Sequence, residues 1–222
     1  MRFDSDDGGK LISALYSRSE SSITDTEFFA LVIDTNVLNC DMGVSKSAKN
    51  GITAVDKTRM AEVVAFTAKT LTTQRPVPFG ALIVDSKNGK TLIRALNAVA
   101  RESDPSSHAE LRAVRLACKK LKSPSLAGYT MYSTCEPCPM CMSNALWAKL
   151  DRVVYGAAIA DAAKHCLQIH ISARSVAARS DMDCVVEGPV LRKECNALFT
   201  HPNMLNAFAS WTNRKQERAG KK

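Results

Sequence analysis

The chain has 222 residues, 45% hydrophobic and 23% charged, with 30 Lys and Arg against 22 Asp and Glu for a formal charge of +8. That length suits one domain with an appendage, whose core needs no disulfide help. No run approaches the ~18 apolar residues of a membrane span. The acidic start, with Asp4, Asp6 and Asp7, is unlike a secretory signal, so a cytoplasmic location without a membrane partner is expected.

The charge is unevenly placed. Residues 1–56 hold five basic and nine acidic residues, net −4, which leaves 25 against 13, net +12, over residues 57–222. A field of that sign attracts RNA or phosphorylated molecules, although a solvated Lys-rich surface has the same composition. Residues 1–56 mix Ser, Asp and Gly around one apolar patch, Phe28 to Ile33. They read as an N-terminal extension, in part disordered, ahead of a catalytic region at 57–222.

Within that region Met60, Val63, Val64, Phe66, Ala68 and Leu71 recur at mostly helical spacing and predict a helix over 57–71, stopped by Pro76 and Pro78. Phe79 to Val84 is an apolar run suited to a strand buried on both faces. Asn88-Gly89 marks a tight turn, and Thr91 to Ala100 returns as the antiparallel partner. Asp104-Pro105-Ser106-Ser107 supplies turn and cap chemistry before a helix through Leu111, Val114, Ala117 and Leu121, with His108 in its first turn. Tyr129 to Thr134 is a third strand. It runs into a helix led by Pro137, where Ala145, Leu146, Trp147 and Leu150 are expected to face the sheet, and Val153 to Ala157 follows as a fourth strand. Ile169 to Ala178 predicts a short interrupted helix, Cys184 to Val186 a fifth strand, and Leu191 to Phe199 a helix, followed by Pro202 and a basic helical end. Strands alternating with helices give an α/β three-layer sandwich.

The chemistry lies in two short pieces, His108-Ala109-Glu110 and, thirty positions on from the His, Cys138 within Pro137-Cys138-Pro139-Met140-Cys141. One His and two Cys are the three ligands of a catalytic zinc that keeps its fourth position for water. Glu110 lies close enough to move protons there without ligating. Thiols three positions apart fall on one face of a helix's first turn, where the helix N-terminus favours thiolate. A structural zinc would want a fourth protein ligand, and His165, Cys166 and His170 are at hand. A redox-active Cys-x-x-Cys has no matching surroundings. The other six cysteines read as small buried hydrophobes.

His-x-Glu followed by Pro-Cys-x-x-Cys resembles the signature of zinc-dependent nucleobase deaminases of the cytidine deaminase superfamily. The resemblance extends from about Pro78 to about Ala163, through Pro78 to Val84, Asn97, Asp104-Pro105 and Val154-Tyr155-Gly156-Ala157. It is to the branch that holds guanine deaminases and tRNA adenosine deaminases. It implies a three-layer α/β/α sandwich on a five-stranded mixed sheet, with Zn2+ held by His108, Cys138 and Cys141 between two helix N-termini. Glu110 is then the proton carrier for hydrolytic loss of an exocyclic amine as ammonia. The resemblance also implies Asn97, Phe79, the peptide after Ala109, and Asp161 as substrate-binding groups. Each side chain has a plainer reading: a turn residue for Asn97, core packing, which is favoured, for Phe79, and a helix cap for Asp161. The first function implied is attack on guanine or a related aminated heterocycle, supported by Phe79 and Asp161-Ala162-Ala163. The second is adenosine-to-inosine editing of a tRNA anticodon loop, which Val186 to Leu191 with Glu194-Cys195 resembles. A homodimer is the assembly implied.

Overall fold

A computed structural model describes residues 51–209 of the chain. The Phe28 to Ile33 patch, Cys40, Trp211 and the N-terminal extension as a whole up to residue 50 lie outside the described residues. The Thr53 side chain accepts from the Asp56 backbone N–H while the Asp56 carboxylate takes the Thr53 N–H, a reciprocal cap that starts α1 (Ala54–Ala68). The catalytic region expected to open at 57 therefore has its first helix already under way there. α1 stops short of Leu71 because both the N–H and the hydroxyl of Thr70 bond the Thr67 carbonyl and close the chain into a turn.

The predicted hairpin is β1 (Gly80–Asp85) and β2 (Thr91–Leu96), turned at Gly89 with φ +71°, where glycine bears no Cβ penalty. β2 does not continue to residue 100. Asn97 Oδ1 accepts from the Val99 N–H at 3.0 Å and bends the chain into the short helix α2 (Val99–Glu102). There follow α3 (Ala109–Leu121), β3 (Tyr129–Cys135), α4 (Pro139–Trp147), β4 (Arg152–Ala157), α5 (Ile159–Ala162), α6 (Ala173–Ala177), β5 (Val185–Glu187) and α7 (Arg192–Thr200). Residues 202–209 are helical, and α6 is what the interrupted pattern at 169–178 becomes.

The sheet has the order β2-β1-β3-β4-β5, antiparallel from β2 through β3 and parallel from β3 through β5. Strand alternation sends Ile83, Met131 and Val153 to one face, where they pack with Ala113 and Ala117 of α3, Met142 and Ala145 of α4 and Ala173 of α6. Leu82, Val84, Tyr132 and Val154 go to the other, against Met60 and Val63 of α1 and Leu198 and Phe199 of α7. Two faces covered by helices make the expected three layers. Each fully buried Leu, Val or Met contributes roughly 1.5–3 kcal/mol.

Trp147 corrects an expectation. It is 75% exposed, because Met142, Ala145 and Leu146 define the buried stripe of α4 and the next residue falls a hundred degrees around the helix. Among the described residues no helix is long and apolar enough to cross a membrane.

Candidate metal centre and catalytic groups

β3 and β4 run parallel, with Cys135 beside Ala157 at their ends, so the loops that follow them emerge together. His108 sits just outside α3 and caps it, at φ −66° and ψ 154°. Cys138 caps α4 in the same extended conformation, with Pro139 at the first helical position. Two helix N-termini thus converge, and their partial positive charge favours the anionic groups gathered there. The approach to His108 is held by Glu102, whose carboxylate accepts from the Ser107 hydroxyl at 2.5 Å and pairs with Arg112 at 2.9 Å. The Ser107 hydroxyl, before the arginines, holds the Glu102 carboxyl down at about 2.

His108 Nδ1 is 3.6 Å from the Sγ of Cys138 and 3.6 Å from that of Cys141. A tetrahedral zinc with sulfur at ~2.3 Å and nitrogen at ~2.05 Å requires N···S separations of about 3.5–3.6 Å. The donor set fits the ion. Among the described residues these three are the one group of His, Cys, Asp and Glu whose ligand atoms lie mutually within 4.8 Å. The proposed fourth ligands are elsewhere: the His165 ring stacks on Phe199 and Phe208, the Cys166 sulfur accepts from Gln168 at 3.2 Å, and His170 is exposed. Among the described residues the alternative of a closed structural site finds no fourth ligand, and the set is the expected three.

The bond from Cys141, then that with His108, draws the Cys138 thiol down to about 4, while the same bond and burial push the Cys141 thiol up. The bond with Cys138 raises His108. A divalent ion held by His108, Cys138 and Cys141 would take both sulfurs as thiolates. Glu110, 5% exposed, has its carboxyl raised by burial. Its Oε1 accepts from Ser133 Oγ at 3.2 Å and its Oε2 lies 3.8 Å from the Cys141 sulfur, beside the ligands and outside their set.

Residues 53–157 match the cytidine and deoxycytidylate deaminase zinc-binding region. Those residues belong to that deaminase family. The guanine deaminase of Bacillus subtilis is 44% identical over 87 residues, which are 39% of this chain and 54% of that one. The tRNA-specific adenosine deaminase of Rickettsia bellii is 38% identical over 81 residues, 36% of this chain and 56% of that one. The chain thus spans about half the length of these curated relatives. The solved guanine deaminase from Nitrosomonas europaea, 21% identical, superposes with a TM-score of 0.59 over 72% of this chain and 87% of that one, and shares the fold.

Within this deaminase region the remaining predicted groups divide. Ala109 is fully buried at the start of α3. The Phe79 ring packs edge-on against Phe199 at 5.4 Å and touches both core layers, as its plainer reading expects. Asn97 is joined to Phe79 by its N–H and followed by Ala98, which bonds Ser107, so it borders the loop that carries His108. Its side-chain oxygen accepts from the Val99 N–H, as a turn residue does, while Ala98 is the residue that caps α2. Asp161 accepts from the Ala158 N–H at 3.1 Å, the helix-cap bond of its plainer reading, and from Arg192 at 2.8 Å through both oxygens. Ser133 went unnoticed in the sequence. Its place on the same face of β3 as Met131 was readable, but its partner Glu110 was not.

Proposed function

We propose that the chain catalyses hydrolytic removal of an exocyclic amine from guanine or a related aminated heterocycle, releasing ammonia. The observation that carries this reading is the buried Glu110 carboxylate, oriented by Ser133, next to a three-ligand set that matches zinc. Zinc, when bound, supplies the Lewis acidity that makes water nucleophilic near neutral pH. Glu110 accepts a proton from the attacking water and delivers protons to a ring nitrogen and the departing amine, so that a carbonyl and ammonia result. Its raised affinity for protons suits a group that both takes and gives them. This reading assigns the peptide after Ala109, Phe79, Asn97 and Asp161 to substrate binding, on the resemblance of their sequence contexts. The 44% identity to a guanine deaminase and the Phe79 context support a purine.

A second reading is adenosine deamination in an RNA loop, supported by the identity to a tRNA-specific adenosine deaminase and by the +12 charge of residues 57–222. Ammonia release by the zinc-loaded chain over free purines, their nucleosides and an anticodon stem-loop separates the two. Turnover of a free base supports the first reading. Activity confined to the stem-loop and falling steeply with salt replaces it with the second. A homodimer in the cytoplasm belongs to the same proposal; the exposed Trp147 gives such an interface apolar surface, and sedimentation tests it.

A further inference from the structure

Glu136 stands between β3 and the first metal-ligand cysteine and is buried. Its backbone N–H donates to the Ala157 carbonyl at 2.8 Å and joins the ends of β3 and β4. The side chain reaches further. Oε2 accepts from the Ile159 N–H at 3.1 Å and Oε1 from the Ala173 N–H at 2.9 Å. Those are the first residues of α5 and α6, positions whose N–H groups have no partner in their own helix. Bonds from such donors to a carboxylate are roughly twice as strong as neutral ones. One side chain therefore closes both ends of the segment 160–172 and fastens them to the stretch that delivers Cys138.

We propose that Glu136 is a positioning residue of the metal centre, holding the Cys138 loop against two helix starts so that the Cys138 and Cys141 thiols meet the same ion as His108. The inference rests on the metal-ligand set and not on which amine is removed. Metal retention and order in the segment 160–172 are then coupled, since one carboxylate serves both.

The test uses the full chain, Glu136→Gln and a control, Glu187→Gln, which breaks the 3.7 Å pair with Arg174 and so loosens α6 without touching the Cys138 loop. A glutamine keeps one acceptor and turns an NH2 toward a backbone N–H. Three readouts apply: the rate of zinc loss to a chromophoric chelator, the visible spectrum of the Co(II)-substituted protein, and amide exchange of residues 158–173. The expected result for Glu136→Gln is at least tenfold faster zinc loss, an altered cobalt band and faster exchange at Ile159 and Ala173. The control keeps the wild-type cobalt spectrum. Wild-type zinc loss and an unchanged cobalt band in folded Glu136→Gln overturn the proposal, as does an equal change in the control. Should Glu136→Gln fail to fold, Glu136→Asp keeps the charge but shortens the reach to the Ile159 and Ala173 N–H groups. Faster zinc loss from Glu136→Asp supports the assignment, and wild-type zinc loss overturns it.

Discussion

Ser133 Oγ donates to Glu110 Oε1 across 3.2 Å, joining β3 to the first turn of α3 inside the core. A carboxylate that hands protons to a substrate must be aimed, and this hydroxyl aims it. Ser133→Ala removes the bond and leaves the metal ligands untouched. At ~1.5 kcal/mol for a bond to a charged group, kcat falls about tenfold. Zinc per chain stays at the wild-type level. An unchanged kcat in the zinc-loaded variant removes Ser133 from the mechanism.

Asp56 ties α1 to the sheet from the other face, accepting from Arg152 at 2.5 Å and from the Tyr132 hydroxyl at 2.9 Å. Although burial opposes its charge, the bonds from Arg152, Thr53 and Tyr132 hold its carboxyl below the ordinary value of 3.8. A depressed carboxyl stabilises the fold above its unfolded value, and that contribution is lost as pH falls through the lower, folded one. Asp56→Asn leaves a partly buried Arg152 without its counter-charge and costs ~3 kcal/mol at pH 7. Urea unfolding of both proteins is expected to show the difference narrowing below about pH 4. A constant difference down to pH 2 contradicts the assignment.

Gly156 sits where β4 passes Cys195 of α7. A Cβ there would lie 2.0 Å from the Cys195 sulfur and 3.0 Å from the Thr134 carbonyl oxygen. Gly156→Ala should destabilise by about 1–3 kcal/mol, since a packed core yields little to an added methyl. Cys195→Ala in the same chain should restore part of that loss. Full additivity of the two changes in denaturant unfolding refutes the steric account.

Much of this was legible in the sequence where the signal is local. Three ligands of the right types, a carboxylate two residues from one of them, and the Asn88-Gly89 turn need only spacing to be seen. β1 was readable as an apolar run because it is buried on both faces. What escaped depends on partners far along the chain. Asp161 draws its arginine from position 192, and Glu110 its hydroxyl from position 133. Trp147 shows a second limit: an apolar residue at the end of a helix is assigned to the core by composition, and only the rotation of α4 puts it in solvent. β2 ended early because a single side chain, Asn97, offered the backbone a competing bond.

In the proposed function the buried Glu110 carboxylate beside three metal ligands moves the protons of a hydrolytic deamination. The direct measurement is ammonia release from guanine by the wild type and by Glu110→Gln, with zinc per chain determined in the same samples. Equal zinc in both is expected, with at least a hundredfold loss of turnover in the variant, the scale of a missing acid–base group. Wild-type turnover by zinc-loaded Glu110→Gln would contradict the proposed role of Glu110.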